Sequence, residues 1–501
     1  MGQPGERQGR HVQVCICVCM LIVATTAIIT AAATPTPRVL DICSFGAIDG
    51  LESAAAAAAN QRALNAALAA AAAGDTVLIP AGAFYTLGGV VANGLVNVTV
   101  DVTGSLIAAP AYDAWPVSNN KPAYANFVQF SGCEGVTLTG KGGLGPGRVA
   151  GGGLVDGRGV GWWNREIFPH IFGRLRGERP RLIAISDSRG LLIERLTLLN
   201  SPTYHLLLDD VAEAEVRLLN ITVDRAAQRD LKHRARQARL QEAGADGTAP
   251  LGGLEPEDLN TDGIDPSGQH IWVHDSLVAN DDDSIAVKPC AADSCVRSPC
   301  SQHMLFERLN LTGFGASVGS VPPHAPSPHC VNNVTFRSIR MIESGKGIYI
   351  KSNPECGIDE VAGAPKAAII SNILYEDILI DRPRWWAIWI GPQQQHEPHS
   401  SLGLKCALDY PLSRHCPTQG CVTFANITLR NVHIERPLIS PGVIKGNATS
   451  PITGLAFDNV TVSRPGRFPF GASYECEHAS GRAVGSSPPP ACLLPGVLSS
   501  W

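Results

Sequence analysis

The sequence has few charged residues, few aromatic residues and no excess of positive charge, and each shortage excludes a class of protein. Charged residues make up 17% of the 501 residues against 45% hydrophobic residues, so the chain is not intrinsically disordered. The formal charge of −5 gives no overall attraction to nucleic acids or acidic membranes. Aromatic residues reach only 6%, whereas 51 Gly and 36 Pro are typical of many short strands joined by turns. We therefore expect a large all-β protein.

The N-terminal 33 residues are typical of a targeting segment. Arg7 and Arg10 precede an apolar run over 12–33, which suits either a cleaved signal peptide or an uncleaved membrane anchor. No later segment reads as a membrane span. The rest of the chain is therefore expected outside the cell or in the cell wall, either secreted or anchored by this segment.

Cysteine use agrees with export. Three cysteines lie in the targeting segment, and the remaining twelve form an even set, which predicts disulfides. Cys290, Cys295 and Cys300 lack the paired spacing of zinc sites and have no His cluster nearby, so we predict no metal site. Sequons compatible with glycosylation begin at Asn97, Asn220, Asn310, Asn333, Asn426, Asn447 and Asn459.

A short phrase recurs along the chain, in which a turn residue precedes alternating β-branched residues. Clear copies begin at Asn97, Gly135, Asn220, Asn333, Asn426 and Asn459. Repeats of this kind predict a solenoid of parallel β-coils over residues 38–475, with Asn side chains stacked along the turns. The Ala-rich helical stretch Ala54–Ala73 is expected to cap the first coil. The Ser/Pro-rich tail 476–501 is expected to be loose unless Cys476 pairs with Cys492.

The residues with the clearest chemistry lie between Asn260 and Lys351. The phrase Asn260-Thr-Asp262-Gly and the run of three Asp at 281–283 are about one solenoid turn apart, which places them side by side. Because coils lie ~4.8 Å apart, their carboxylates can flank a glycosidic bond. Inverting hydrolysis uses an acid and a water-activating carboxylate ~6.5–9.5 Å apart. A solvated turn or calcium site is the alternative, but the acidic run leads directly into the strand Ile285-Ala-Val.

Together with phrases elsewhere, these residues resemble the polygalacturonases of glycoside hydrolase family 28. The shared phrases, in the family's order, begin at Phe45, Ile79, Gly153, Trp162, Asn200, Asn260 and Asp282. This resemblance implies a right-handed parallel β-helix of the pectin lyase-like type with an N-terminal capping helix. It also implies a monomeric enzyme without a cofactor that hydrolyses O-glycosidic bonds in a pectin-like acidic polysaccharide.

The resemblance also implies a role for each motif residue. Asp282 corresponds to the general acid, while Asp262 and Asp283 would hold and activate the attacking water. Asp281 takes a place that usually holds Gln or Gly. Lys351 matches a lysine that binds the substrate carboxylate in the family. The other residues considered for substrate binding are Asn260, Tyr349 and His205.

Two departures from the family pattern lie near these residues. Phe314 replaces the His of the motif GHG, and Tyr349 replaces the Arg of the motif RIK. The first change removes a side chain that would contact a catalytic acid. The second removes a guanidinium that would bind the carboxylate of a uronate through two hydrogen bonds. His205, or His324 or His329, is a candidate replacement imidazole. We therefore expect hydrolysis, with rhamnogalacturonan, xylogalacturonan or an algal uronate glycan as alternatives to unmodified polygalacturonate.

Residues 225–259 form a basic insertion that opens with a helix-prone stretch. We hypothesise a wall or lid that attracts a polyanionic glycan and closes one end of the groove; the alternative is a solvated surface helix. For the whole chain, the alternatives are a calcium-dependent lyase on the same fold and a non-catalytic glycan-binding protein that has lost turnover.

Overall fold

The computed structural model describes residues 36–117, 123–140, 152–242, 259–290, 300–353, 356–393, 410 and 416–496. The predicted targeting segment, residues 1–33, lies outside the described residues. Residues Pro37–Trp501 form one unit. Within the described residues, no helix combines the length and the apolar character that a membrane crossing needs.

Twenty-eight strands and four α-helices make up the described part of the chain. The strands are β1 (Val39–Asp41), β2 (Thr76–Ile79), β3 (Ala83–Thr86), β4 (Val90–Asn93), β5 (Thr99–Val102), β6 (Ser105–Ala108), β7 (Val128–Ser131), β8 (Thr137–Thr139), β9 (Gly153–Asp156), β10 (Ile183–Ser186), β11 (Arg189–Glu194), β12 (Leu196–Leu199), β13 (Leu206–Arg217), β14 (Asn220–Thr222), β15 (Ile264–Ala279), β16 (Ile285–Val287), β17 (Cys300–Leu311), β18 (Ala316–Val321), β19 (His329–Ile342), β20 (Ile348–Ser352), β21 (Ala368–Asp381), β22 (Ile388–Gln393), β23 (Val422–Glu435), β24 (Gly442–Lys445), β25 (Ile452–Ser463), β26 (Tyr474–Glu477), β27 (Ala479–Val484) and β28 (Leu494–Pro495). The helices are α1 (Ala54–Ala70), α2 (Gly159–Ile167), α3 (Pro169–Phe172) and α4 (Arg225–Glu242), and a 3-10 turn spans Ile42–Phe45.

The named strands pair in parallel with the strands of the coils before and after them. One face of the solenoid, here called the first sheet, is formed by β4, β7, β10, the beginnings of β13 and β15, and then β16, β18, β20, β22, β24 and β26. The long strands β17, β19, β21, β23 and β25 continue around the other faces. The predicted solenoid is therefore confirmed.

Alternation along the first sheet decides which side chains face the core. In register, Ile285 pairs with Ala316 and Ala316 with Ile348, and all three lie in the main hydrophobic core. The next position along each strand points to the opposite side. That outward column runs through Ala286, Ser317, Tyr349, Trp389 and Val443.

The recurring phrase does build the turns of the solenoid. Asn333, Asn426 and Asn459 all have a positive φ, between 52° and 56°, which Asn tolerates better than most residues. The predicted stacking of side chains is also present. Asn459 Nδ2 donates to Asn431 Oδ1 at 3.0 Å, and Asn431 Nδ2 donates to Asp377 Oδ1 at 3.0 Å.

Both ends of the solenoid are covered. Helix α1 begins after the N-cap Ser53 and buries Leu64 and Leu68 in the core, so the predicted capping helix is confirmed, with its end at Ala70. At the other end, the condition set for an ordered tail is met, because Cys476 and Cys492 form a disulfide. The tail forms strands β26, β27 and β28, which pair in parallel with earlier strands or with each other. These pairings cover the last coil.

The cysteines pair only in part as expected. Disulfides join Cys300 to Cys330, Cys356 to Cys421 and Cys476 to Cys492, and Cys290 and Cys416 are also disulfide-bonded. The remaining two described cysteines, Cys43 and Cys133, are free thiols. The even count therefore does not translate into complete pairing.

Candidate active site

The candidate active site lies at the beginning of strands β15 and β16 of the first sheet. It brings together the side chains of Asp262, Asp282 and Asp283. The backbone aligns the two turns, because Gly263 N–H donates to the Asp283 carbonyl oxygen at 2.9 Å. One carboxylate oxygen from each of the three Asp lies within 4.8 Å of the others. The juxtaposition expected from the sequence is therefore present in the structure. Among the described residues, this cluster is also the group of carboxylates that can accept a cation.

Asn280 holds the turn that carries two of the three acids. Its side chain is fully buried, and Nδ2 donates to the carbonyl oxygens of Thr261, Asp282 and Asp283 at 2.8–3.0 Å. Its Oδ1 accepts from the Ser284 hydroxyl at 2.8 Å. One amide therefore joins the two turns that carry the acids, which gives a structural reason for the Asn before the acidic run.

Lys351 lies directly against the acid cluster. Its ammonium donates to Asp283 Oδ2 at 2.6 Å, and the Ser317 hydroxyl donates to Asp283 Oδ1 at 2.7 Å. Both Lys351 and Asp283 are at most 3% exposed. The lysine predicted to bind a substrate carboxylate therefore contacts a protein carboxylate in this structure.

The spacing of the acids is shorter than expected for inversion. The three oxygens lie within 4.8 Å of one another, whereas most inverting enzymes separate their carboxyl groups by ~6.5–9.5 Å. Three carboxylates share the site, and the Lys351 ammonium offsets part of their repulsion, which permits the close approach. The proximity of these oxygens therefore gives no support of its own for inversion.

His205 contacts the backbone of the acid cluster and lies away from solvent. Its side chain is fully buried, Nδ1 lies 2.8 Å from the Asp262 carbonyl oxygen, and Nε2 accepts from Ser201 N–H at 3.3 Å. Burial lowers the pKa of His205 to about 4. These contacts place the imidazole against the backbone of Asp262 and away from solvent, so its role in substrate binding stays a prediction. Asn260, by contrast, is half-buried with a φ of 46° beside this turn.

The other two candidate imidazoles contact their own loop. His324 and His329 stack at 4.6 Å, and Nδ1 of each lies within 3.0 Å of a carbonyl oxygen, that of Ser327 or Pro322. Burial lowers the pKa of His329. The described contacts therefore tie the loop between β18 and β19, which holds His324, to His329 at the start of β19.

Asp281 takes part in ion pairs beside the cluster. Arg225 Nε donates to Asp281 Oδ1 at 2.7 Å, and an Arg384 nitrogen lies 3.9 Å from the same oxygen. Arg225 is the first residue of α4. The basic insertion therefore begins in direct contact with the acidic run. Gln228 of the same helix donates to the hydroxyl of Thr261, next to Asp262, at 3.2 Å.

Helix α4 packs through an apolar side against the chain next to the acid cluster. Leu231 and Ala235 are buried together with Trp163, Phe168 and Leu259. Its exposed side carries Arg229 and Arg234. This packing excludes a purely solvated helix, and the role of the insertion as a wall or lid stays a prediction.

Asp265 is a buried acid that sequence reasoning did not identify. It is 1% exposed, its two carboxylate oxygens have no hydrogen-bond partner, and Lys288 Nζ lies 3.7 Å from Oδ2. Burial raises the pKa of Asp265 to about 6. The signal in the sequence is its position, since it is the second residue of strand β15, three residues after Asp262.

The two departures from the motif pattern lie together beside the acids. Tyr349 is 2% exposed and belongs to an aromatic cluster with Trp386 and Trp389, with Phe314 packed against it. The tyrosine is enclosed, so the structure does not place it where a glycan can contact it directly. Trp386 and Trp389 are fully buried, so these two tryptophans are core residues and do not line sugar subsites.

Comparisons with known proteins agree on one family. The model described as Glycosyl hydrolases family 28 matches residues 74–485. An endo-polygalacturonase from Pectobacterium parmentieri is 26% identical over 268 residues, covering 52% of this chain and 55% of the relative. A probable endo-xylogalacturonan hydrolase A from Aspergillus flavus is 25% identical over 312 residues, covering 62% of this chain and 61% of the relative. The chain thus spans little more than half the length of these relatives.

Solved structures share the fold. The family 28 exopolygalacturonase of Yersinia enterocolitica has a TM-score of 0.58 at 12% identity, covering 93% of this chain and 76% of that chain. The exopolygalacturonase of Thermotoga maritima has a TM-score of 0.56 at 15% identity, covering 89% and 90%. These likenesses agree with the predicted right-handed parallel β-helix. Because the family model matches most of the chain, the resemblance is confirmed: this chain belongs to glycosyl hydrolases family 28.

Proposed function

We propose that this protein hydrolyses O-glycosidic bonds in an acidic, pectin-type polysaccharide. The observation that carries the proposal is the cluster of Asp262, Asp282 and Asp283, whose oxygens lie within 4.8 Å of one another on two adjacent turns. Two or more carboxylates at one site are what glycoside hydrolysis requires of a protein. Family membership removes the main support for a lyase.

Each acid has an assigned step. Asp282 gives its proton to the glycosidic oxygen as the bond from that oxygen to the anomeric carbon breaks. Water attacks the same carbon and loses a proton to Asp262 or Asp283. Asp283 suits the water-binding role because Ser317 and Lys351 already fix its two oxygens. Positioning of this kind, with acid and base catalysis, contributes ~10²–10⁴-fold to rate.

We propose inversion at the anomeric carbon, as the family motif implies. The short carboxylate spacing makes this a separate question from hydrolysis itself. NMR of the first product formed answers it: an anomer opposite to that of the substrate supports inversion, and the same anomer would assign a nucleophilic role to one of the Asp side chains.

The substrate class follows from the relatives and from charge. Three relatives of the chain are named endo-polygalacturonase, probable endo-xylogalacturonan hydrolase A and probable rhamnogalacturonase E, and all three names point to pectin backbones. Lys351 can bind a uronate carboxylate while keeping Asp283, because an ammonium has three N–H donors. We also propose secretion, since pectin-type polymers lie outside the cell.

The test is release of reducing ends from polygalacturonate, rhamnogalacturonan, xylogalacturonan and uronate-rich algal glycans. Asp282→Asn is compared with wild type, and Asp281→Asn serves as a matched control because Asp281 is the adjacent acid held in ion pairs. We expect Asp282→Asn to lose ~10²–10⁴-fold in rate, and Asp281→Asn to lose far less. A greater loss in Asp281→Asn would shift the general acid by one residue.

A non-catalytic glycan-binding protein is the second candidate, favoured by the low exposure of the acids, between 1% and 6%. Binding on the same panel without product from any member would make this function the better one. Product from any member, abolished in Asp282→Asn, would remove it.

We further propose that α4 forms a basic wall beside the cluster that attracts a polyanionic chain. Support comes from Arg225, which pairs with Asp281, and from the exposed Arg229 on the same helix. A wall at this position closes one end of the groove and favours attack at chain ends. Chain-end attack is checked by product size: short oligosaccharides should accumulate before the viscosity of the polymer falls.

A further inference from the structure

Lys346 is a fully buried lysine beside the acid cluster. Its ammonium lies 3.7 Å from the ring centre of Tyr349, 5.1 Å from that of Phe314 and 5.3 Å from that of Trp389. Aromatic faces attract cations within about 6 Å, and the attraction strengthens away from water. The three rings therefore form a cage around one charge, here called the Lys346 cage.

Two of the three rings of the cage belong to the residues at which this chain differs from the family motif. Phe314 and Tyr349 stand where the motif has a His and an Arg. An Arg at position 349 would bring a second fixed cation next to the Lys346 ammonium in a buried setting, where like charges repel strongly. Lys346 and the two aromatic residues thus form one coupled set, with the buried cation at position 346 and an aromatic ring at position 349.

The cage reaches the catalytic acids by two routes. The Tyr349 ring centre also lies 4.2 Å from Lys351 Nζ, which donates to Asp283 at 2.6 Å. Tyr349 and Lys351 are two residues apart on β20, so they point to the same side of the strand. Through the second route, Phe314 N–H donates to the Asp282 carbonyl oxygen at 2.7 Å.

The local sequence is suited to this packing. A Cβ at Gly345 would lie 2.6 Å from the Phe314 ring, so the glycine before Lys346 lets the ring lie against the backbone. The cage is also enclosed, because Tyr349 and Trp389 are at most 2% exposed. A buried cation in such a setting fixes the rings around it.

We propose that Lys346 is a positioning residue for the hydrolysis proposed above. The caged ammonium holds the Tyr349 ring against Lys351 and so fixes Lys351 on Asp283, which replaces the missing motif Arg. The inference rests on the proposed function, and Lys346 itself does not touch the substrate.

The test is a double-mutant cycle on kcat and KM, with the most active glycan of the panel as substrate. Lys346→Met removes the charge and keeps an unbranched side chain of similar length. We expect kcat to fall by about 10–100-fold with KM changed less than about threefold, because displacement of a catalytic group mainly affects the chemical step. The kcat of Tyr349→Arg alone should fall by at least the same factor, because the introduced guanidinium and the Lys346 ammonium repel each other in a buried setting.

The double variant decides the question. Tyr349→Arg with Lys346→Met restores one cation, so its kcat should exceed that of Tyr349→Arg by at least about tenfold, which simple loss of packing does not predict. Lys445→Met is the matched control, because Lys445 Nζ also lies over a ring, at 6.0 Å from the centre of Tyr410, outside the cage. Its kcat should equal that of wild type.

Three outcomes are distinguishable. Wild-type rates in Lys346→Met, or additive losses in the double variant, would overturn the inference and leave the hydrolase intact. Absence of any turnover that depends on Asp282 would remove the proposed function and the inference with it. Thermal unfolding of the same variants adds a readout without substrate: non-additive shifts in Tm for Lys346→Met and Tyr349→Leu are expected, and additive shifts would contradict the cage.

Discussion

Lys351 donates a hydrogen bond of 2.6 Å to Asp283, and both side chains are almost completely buried. Removing one partner of a buried ion pair typically costs ~3–5 kcal/mol, because the other charge stays buried alone. We expect Lys351→Met to lower the free energy of unfolding by about that amount and to lower kcat. Urea unfolding and initial rates measure the two effects.

The second variant separates stability from catalysis. Lys351→Met combined with Asp283→Asn leaves no isolated charge, so most of the lost stability should return while activity stays absent. If Lys351→Met unfolds at the same urea concentration as wild type, the pair does not stabilise the fold.

His205 makes stability depend on pH in a predictable direction. Burial lowers its pKa from 6.5 to about 4, so between these values the unfolded chain takes up a proton that the folded chain refuses. The stabilisation is complete above pH 6.5 and is lost as pH falls toward 4, by up to about 3 kcal/mol. His205→Gln keeps a donor and an acceptor but cannot be charged in this range. Between pH 7 and pH 4.5 the free energy of unfolding of this variant should fall less than that of wild type. If the free energy of unfolding falls equally with pH in both proteins, His205 does not cause the pH dependence.

Asp265 acts in the opposite direction over an overlapping range. Burial raises its pKa from 3.8 to about 6, so the folded chain holds a proton that the unfolded chain releases. The cost of ionising Asp265 is therefore absent below pH 3.8 and grows as the pH rises through the raised pKa of the folded chain. Relative to wild type, Asp265→Asn should gain stability on passing from pH 4 to pH 7. A stability difference that does not change with pH would show that Lys288 fully compensates the charge.

Local sequence patterns predicted the parts of the molecule that repeat. The Asn turns and the juxtaposition of Asp262 with Asp282 follow from periodicity, because one solenoid turn fixes which residues become neighbours. The capping helix follows from its Ala-rich composition and from the need to cover the first coil. Contacts across several coils were not predictable in this way. Lys351 meets Asp283 over a separation of 68 residues, and the Lys346 cage joins three different turns. His205 was assigned to the substrate because a sequence does not reveal which face of a motif is enclosed.

The exposed charges of α4 should affect substrate capture and leave the chemical step unchanged. We expect Arg229→Gln to raise KM for charged oligosaccharides about twofold at low salt, with kcat unchanged. A single exposed cation contributes only a small part of the attraction for a charged substrate, so a larger rise in KM is not expected. The effect should vanish at high salt, where the Debye length is ~3 Å at 1 M. Initial rates at two salt concentrations measure it.

A matched arginine on the capping helix serves as the control for that prediction. Arg62 is exposed on α1, and Arg62→Gln makes the same change of charge at the capped end of the solenoid. Equal effects of the two variants would mean that net charge, and not the wall at α4, governs capture.

The disulfide between Cys476 and Cys492 should hold the end of the solenoid without affecting the active site. It closes a loop with a sequence separation of 16 that contains strand β27, and a disulfide across a loop of this length typically contributes ~3 kcal/mol. Replacing both cysteines by Ser should lower Tm and speed hydrogen exchange in β27, which pairs with β25 on one side and with the short β28 on the other. Exchange in β16 and β18 should stay slow, and kcat should stay constant, because the acid cluster lies several coils away. Faster exchange throughout the chain would instead mean that the tail is part of one cooperative unit with the catalytic coils.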